Sequence, residues 1–489
     1  MIDIIFITKQ TAYFSHRFIK LRQMLYTIFF IIYVVIALAI VISLLVNGVR
    51  PSKTLAWLLA IFTIPVGGIL LYLMVGRNRR KKRWERLSKE IVRTDGGTVI
   101  PETPKINEKH KKLIRLIQQN SGFNPSENNE VVYLKDGKTT FKTIFSTLET
   151  ATDYIHLQYY IFEEGELADK LLELFRTKML QGVKIRLIYD GIGSFSLSRP
   201  YLKKLKQIGV EVFPFLPFSF GRFLVSLNYR NHRKIIVVDG VTAFTGGINV
   251  SDKYLKDDTI LGKWHDMHLK IQGPAVDELN QVFLVDWQLV SGQEIRPSRK
   301  TASFVGGEST VQIVSSGPDD DFPAIEQVYF SIINSAERYL YITNPYIIPG
   351  QSILTALETA ALSGVDVRLL ISEKNDSRLV NWSVRSYFEP LLRAGIKVYL
   401  FPDGFLHSKI MLSDDAIASV GTANIDVRSF EQNYEVNAII YDPKVVTALK
   451  EDFLQDSQGS RQLTYQEHQK RSWPDKLKEG FAKVFSPIL

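Results

Sequence analysis

The chain of 489 residues contains no cysteine. That absence excludes disulfides, thiolate zinc sites, iron–sulfur clusters and cysteine nucleophiles, and it leaves the redox compartment open. Charge is missing from two long stretches, with no Asp, Glu, Lys or Arg between Met24 and Val46 or between Thr54 and Val75. Acidic residues are the scarcer sign, 51 against 60 basic, for a formal charge of +9. The excess favours acidic partners, anionic lipid or nucleic acid, without choosing between them. At about 150 residues per domain the length suggests roughly three units.

The first uncharged stretch, residues 24–46, is dominated by Ile, Val, Leu and Phe. As a helix it is long enough to cross about 30 Å of hydrocarbon, which predicts a transmembrane span. The second, residues 54–75, predicts another, with Pro65 and Gly67-Gly68 tolerated as they are in membrane helices. A cleaved signal peptide fits less well: the apolar run is too long, lacks a small-x-small site and is followed by a second run. Basic residues lie outside the pair, at Lys9, Arg17, Lys20 and Arg22 before it and at Arg77, Arg79, Arg80, Lys81, Lys82, Arg83 and Arg86 after it. The connecting loop carries only Arg50 and Lys53. The positive-inside rule therefore predicts a multi-pass hairpin in the cell membrane, with residues 1–23 and the region beyond the spans cytoplasmic. Residues 76–130 read as a basic juxtamembrane connector with an amphipathic stretch near His110–Gln118, able to attract anionic head groups.

Beyond the connector the chain repeats itself. Tyr154 to Ile161 resembles Tyr339 to Tyr346, each a strand followed by a helical stretch. Those helices end at Gly182 and Gly364, which lead into the apolar strands 183–188 and 365–370. Tyr201–Phe215 and Tyr387–Phe401 then both run helix, glycine, strand. The order predicts an α/β fold in two similar halves, residues 131–290 and 310–457. A linker at 291–309 joins them, and an amphipathic tail, 458–489, follows.

The repeat is tightest at its polar positions. His232, Lys234, Asp239, Gly246, Gly247 and Asn249 stand at offsets 0, 2, 7, 14, 15 and 17, and His407, Lys409, Asp414, Gly421, Thr422 and Asn424 stand at the same offsets. A lone His-x-Lys is common by chance, and a single such residue is most often a satisfied, half-buried polar group. Six positions in register, within motif regions 227–254 and 402–429, require another explanation. Ile235–Val238 and Ile410–Leu412 are apolar strands, and the period of two places His and Lys on one face of each. Imidazole can attack phosphorus, and a second imidazole can protonate the departing alkoxide. Lysines supply the positive charge that phosphoryl oxygens need in the transition state, and Asn249 and Asn424 can add hydrogen bonds. The cluster Trp264-His265-Asp266-Met267-His268 leaves zinc as the competing reading.

With its doubled His-Lys-Asp motif the chain resembles the phospholipase D superfamily, and within it the bacterial cardiolipin synthases. The resemblance extends to the paired N-terminal spans, Trp264–His268, Gly273–Val276 and Gly421–Phe430. It implies two phospholipase D-like halves, each a mixed sheet flanked by helices, about a pseudo-twofold axis, with one site built from both motifs. It also implies a metal-free and cofactor-free exchange between two phosphatidylglycerol molecules. His232 would form a phosphatidyl-histidine while His407 protonates the released glycerol, and the second lipid's hydroxyl would then complete cardiolipin. The near symmetry of the motifs leaves the choice of nucleophile open. In this family a carboxylate orients each histidine; Glu435 is expected to serve His407, and Asp266 to serve His232. Asp239 and Asp414 are expected to organise the site. Gly247 departs from the hydroxyl residue that Thr422 represents, so the halves are expected to contact phosphate unequally.

Phe213–Leu227, with Phe215, Phe218, Phe220 and Phe223, is expected either to pack in a core or to offer acyl chains a path from the bilayer. The motif alone also fits a hydrolytic phospholipase D or a nuclease. The two spans, and the lack of a basic-aromatic face beyond the juxtamembrane run, argue against nucleic acid as the partner.

Overall fold

The computed structural model describes residues 2–46, 51–72, 110–217, 229–256, 261–295 and 306–486. The chain divides into two compact units, Met1–Arg79 and Arg80–Leu489. The basic run 77–86 and the aromatic residues Phe218, Phe220 and Phe223 lie outside the described residues.

In the first unit, helix α1 runs unbroken from Ile2 to Val46, so the expected N-terminal segment 1–23 continues the span. Its apolar part, Ile19–Val46, is 28 residues long and is the one helix among the described residues long and apolar enough to cross a membrane. At 1.5 Å per residue it measures about 42 Å. The second expected span is not one helix. It divides at Ile64 into α2, Pro51–Thr63, and α3, Pro65–Leu71. Pro65 has no N–H to donate and its ring collides with the preceding turn, which breaks the ladder there. Ala37, Ile40 and Leu44 of α1 pack on Ile61, Ile69 and Tyr72, and the Tyr33 hydroxyl donates to the carbonyl of Ile61 at 3.1 Å.

The second unit has 20 strands among the described residues, 16 of them in one mixed sheet and four in two separate two-stranded sheets. Its N-terminal half contributes β1 Ser126–Leu134, β2 Tyr154–Tyr159, β3 Lys184–Asp190, β4 Glu211–Phe215 and β5 Arg230–Asn231. It continues with β6 Ile235–Val238, β7 Thr242–Gly246, β8 Trp264–His265 and β9 His268–Gln272. The C-terminal half contributes β10 Ser309–Ser316, β11 Tyr339–Thr343, β12 Ile347–Ile348, β13 Asp366–Ser372, β14 Lys397–Phe401 and β15 Phe405–Leu406. After these come β16 Ile410–Ser413, β17 Ile417–Gly421, β18 Ile425–Asp426, β19 Asn433–Ile440 and β20 Arg461–Leu463. Strands β1 and β10 pair antiparallel at the centre. Outward from them the order is β9-β7-β6-β2-β3-β4 on one side and β19-β17-β16-β11-β13-β14 on the other. The matching orders make the expected two halves about a pseudo-twofold.

Inner strands β2, β6, β7, β17 and β19 are buried along their whole length, as apolar runs flanked by helices on both faces require. Each Ile or Val so buried contributes about 1.5–3 kcal/mol. Helices feeding β3, β4, β13 and β14 end at Gly182, Gly209, Gly364 and Gly395, all at φ between 86° and 97°, where a side chain would be strained.

Two boundaries move. Helix α4, Lys111–Ser121, expected in the connector, buries Leu113, Ile114 and Ile117 in the core of the C-terminal half. Gln312 of β10 donates to the carbonyls of Ile114 (3.2 Å) and Phe123 (2.9 Å). At the other end the tail does not hang free. Strand β20 pairs with β14, and the C-terminal helix Trp473–Val484 packs beside helix Arg378–Arg385. Of the expected linker 291–309, residues 296–305 lie outside the described residues.

Candidate active site

Both motifs are built the same way, by a short strand that the opposite half clamps. Strand β5, just before His232, pairs parallel with the start of β19, matching Arg230 with Asn433 and Asn231 with Tyr434. Strand β15, just before His407, pairs parallel with β8, matching Phe405 with Trp264 and Leu406 with His265. The next hydrogen bonds continue each ladder: His232 N–H to the Tyr434 carbonyl (2.9 Å) and His407 N–H to the His265 carbonyl (2.7 Å). In each clamp the residue that follows is a histidine on one strand and a carboxylate on the other.

This register decides the carboxylate partners. His232 Nδ1 lies 3.0 Å from Glu435 Oε2, and His407 Nδ1 lies 2.7 Å from Asp266 Oδ2. The pairs are the reverse of those expected from sequence, because each carboxylate serves the histidine of the other half. All four side chains are buried.

The motif lysines reach back to their own histidine's backbone. Lys234 Nζ donates to the His232 carbonyl at 2.7 Å, and Lys409 Nζ donates to that of His407. Each imidazole also feels the other half's ammonium, His232 that of Lys409 and His407 that of Lys234. The two motifs therefore share one electrostatic site.

Burial lowers both imidazoles to about 4, against the pull of their carboxylates. It also lowers Lys234 to about 7 and Lys409 to about 8. Burial opposes ionisation of Asp266 and Glu435, but Lys409 and His407 for the first, and His232 and Lys234 for the second, outweigh it and hold both below the usual carboxylate values. Near neutrality the centre holds two carboxylates, two neutral imidazoles, the Lys409 ammonium and a Lys234 part-way through its titration. With Nδ1 of each ring bound to its carboxylate, Nε2 is the nitrogen left for chemistry.

The remaining expected residues separate into groups. Asp239 and Asp414 do not meet the imidazoles. Asp239 accepts from the N–H of Thr152 (2.7 Å), Asp153 (2.8 Å) and Tyr154 (2.8 Å), at the far end of β6. Asp414 does the same for Glu337 (2.9 Å), Arg338 (2.9 Å) and Tyr339 (3.0 Å). Asn249 Oδ1 accepts from Ile161 N–H at 3.1 Å, whereas Asn424 Oδ1 is buried and unbonded. The Thr422 hydroxyl is not aimed at phosphate: it donates to Glu435 Oε2. A Cβ on Gly247 would lie 2.0 Å from Asp266 Oδ1, so the missing hydroxyl there makes room for a carboxylate. Tyr254 takes its place, its hydroxyl 3.3 Å from Asp266 Oδ2.

Sequence reasoning missed Tyr254, which no motif marks, and the aromatic walls. Tyr160 stands edge-on to His232 at 4.8 Å between rings, while Trp264 and Phe405 each lie 5.5 Å from His407. Within the cluster weighed as a zinc site, Asp266 is engaged by His407, His265 lies 3.7 Å from Asp456, and His268 is buried among the strands.

The family model described as cardiolipin synthase, PLD-like domain, matches residues 144–287 and 329–457, and one described as phospholipase D-nuclease N-terminal matches 28–77. The chain is 41% identical over 453 residues to a cardiolipin synthase of Halalkalibacterium halodurans, covering 90% of each chain. It is 40% identical to one from Geobacillus sp. strain WCH70, covering 93% of this chain and 92% of that one. Among solved structures, the phosphatidylserine synthase of Haemophilus influenzae Rd KW20 superposes with a TM-score of 0.58 at 14% identity, over 78% of this chain and 100% of that one. That likeness concerns the fold.

Proposed function

The chain belongs to the bacterial cardiolipin synthases of the phospholipase D superfamily, and we propose that its crossed histidine–carboxylate pairs carry a two-step phosphatidyl transfer between phosphatidylglycerol molecules. Nε2 of His232 attacks phosphorus, and the bond to the glycerol head group breaks. His407, as imidazolium, gives its Nε2 proton to the departing glycerol oxygen, so glycerol leaves neutral and a phosphatidyl-histidine remains. The terminal hydroxyl of a second phosphatidylglycerol then loses its proton to His407 and attacks phosphorus, releasing His232 with cardiolipin. One phosphodiester replaces another, so no energy source is required.

Lys234 and Lys409 each spend one N–H on a backbone carbonyl and keep two for the non-bridging oxygens. The negative phosphodiester, once bound, raises the imidazole that must hold the proton. The observation that carries this reading is the pair of symmetric clamps, which leaves two Nε2 atoms available on rigid mounts in one buried centre.

In the cell the protein is membrane-associated. We infer a multi-pass arrangement in the plasma membrane, with both termini and the catalytic unit cytoplasmic, supported by the distribution of basic residues about the apolar segments.

The deciding experiment supplies labelled phosphatidylglycerol in vesicles to the purified full-length protein. Cardiolipin and glycerol are expected in equal amounts, and neither is expected from His232→Ala or His407→Ala. Phosphatidic acid as the main product would identify a hydrolase instead, and cleavage of DNA without lipid product would identify a nuclease.

A further inference from the structure

Among the described residues, the C-terminal helix Trp473–Val484 packs on the catalytic unit through one face. Ala482 and Glu479 are buried beneath it. Arg471, just ahead of it, joins Glu479 (2.8 Å) to Glu389 (2.7 Å). Ser486, just past it, meets Ser383 at 3.1 Å. The opposite face carries Trp473, Leu477, Phe481 and Val484, exposed by 73%, 58%, 60% and 74%. At 3.6 residues per turn these four fall within an arc of roughly 80°. Lys476 and Lys483 flank the arc on one side and Lys478, paired with Asp475 at 3.2 Å, on the other, with Lys478 and Lys483 also standing over the rings of Trp382 and Tyr387. Four large apolar side chains held in water by a docked helix are unfavourable unless something covers them.

The helix is also connected to the active site through its support. Helix Arg378–Arg385 follows directly on the segment bearing Asp376, which accepts from the Tyr346 hydroxyl at 2.7 Å. The Tyr346 ring lies 6.4 Å from that of Phe405, which in turn lies against His407.

We propose that this apolar arc seats at the head-group and acyl boundary of an anionic bilayer, holding the catalytic unit against the lipid that it consumes. Lysines bordering an apolar arc match a surface that is negatively charged outside and apolar beneath, whereas a protein partner would call for no such border of one sign. The inference rests on the lipid-substrate reading above.

Because the chain has no cysteine, a single spin label can be placed anywhere in the full-length protein. Labels at Leu477→Cys and Phe481→Cys, in vesicles of phosphatidylglycerol, are expected to collide with dissolved oxygen in preference to a water-soluble nickel chelate. A label at Leu180→Cys, 86% exposed on another helix, is expected to show the reverse. Labels at 477 and 481 as wet as the one at 180 would overturn the proposal. So would dipolar broadening between copies, which would make a second chain the occupant. Replacing Trp473, Leu477 and Phe481 together by serine is expected to lower turnover in vesicles on the order of tenfold, with turnover of monodisperse short-chain phosphatidylglycerol unchanged. Equal loss on both substrates would count against docking. Should the chain form no cardiolipin at all, the functional reading fails while the label depths still decide the docking.

Discussion

At the scale of single residues, the site works by leaving one imidazole nitrogen free while a carboxylate holds the other. Because the pairs are crossed, Asp266→Asn is expected to impair His407, and Glu435→Gln to impair His232, each lowering turnover by about 10²–10⁴-fold. Trapping the covalent lipid adduct by rapid quench in alkaline denaturant, which preserves the phosphorus–nitrogen bond, distinguishes them: it should still form, slowly, in the variant that spares the nucleophile. Gly247 gives a second test. Making the halves alike with Gly247→Thr drives a side chain into Asp266, which lies 2.0 Å from where its Cβ must go. Activity should collapse, whereas Thr422→Ser, which keeps the hydroxyl on Glu435, should be mild. Both are read as kcat/KM on vesicles.

The same buried charges set the pH response. Imidazoles lowered to about 4 stay neutral above that value, and protonation below it removes the nucleophile. Lysines lowered to about 7 and 8 lose their charge as the pH rises through those values. On the acid side kcat/KM should therefore fall near 4 as His232 is protonated; on the alkaline side it should decline as His407 loses the proton it donates, and more steeply as the lysines lose their charge at about 7 and 8. Lys409→Arg, whose guanidinium keeps its proton, should move the alkaline limb upward if the variant retains activity.

At the scale of elements, the motif is a strand held at both ends: histidine and lysine at its start, aspartate in the turn that closes it. Asp239 and Asp414 sit at φ 52° and 55° and gather the backbone N–H groups that begin β2 and β11. Asp239→Ala should cost about 2–4 kcal/mol, measured by thermal or denaturant unfolding, because it removes the acceptor of three backbone N–H groups, of which that of Tyr154 is buried. Asp239→Asn should cost less, since asparagine tolerates positive φ and keeps one acceptor. The repeat glycines and the apolar motif strands were legible because local rules govern them: a left-handed C-terminal position wants glycine, and a strand buried on both faces wants Ile and Val. Pro65 was legible too, but its effect was not. Membrane helices tolerate such a residue only where neighbours satisfy the freed backbone, and here the helix breaks.

At the scale of the whole molecule, neither half is complete. Each contributes a histidine and a lysine to the centre, together with the carboxylate that orients the other half's histidine. Mixing the His232→Ala and His407→Ala proteins in one vesicle should not restore synthesis, because every site so formed lacks one imidazole. Recovery approaching a quarter of the wild-type rate in an equal mixture would mean that the halves exchange between chains. The clamps β5–β19 and β8–β15 also make folding of one half depend on the other.

From the sequence alone came the apolar N-terminal anchor, the duplicated α/β halves, the paired His-Lys motifs and the identities of Asp266 and Glu435 as orienting groups. These follow from composition, period and residue type, which are local, or from resemblance. The tertiary structure decided which carboxylate faces which histidine, why Gly247 must lack a side chain, that Tyr254 supports Asp266, and that α4 belongs to the catalytic core. The carboxylate pairing is set by the register of strands from opposite halves, the roles of Gly247 and Tyr254 by packing against Asp266 within the N-terminal half, and the place of α4 by burial in the core of the C-terminal half. A pattern that repeats identically in both halves carries no sign of whether its partners are paired within a half or across the axis.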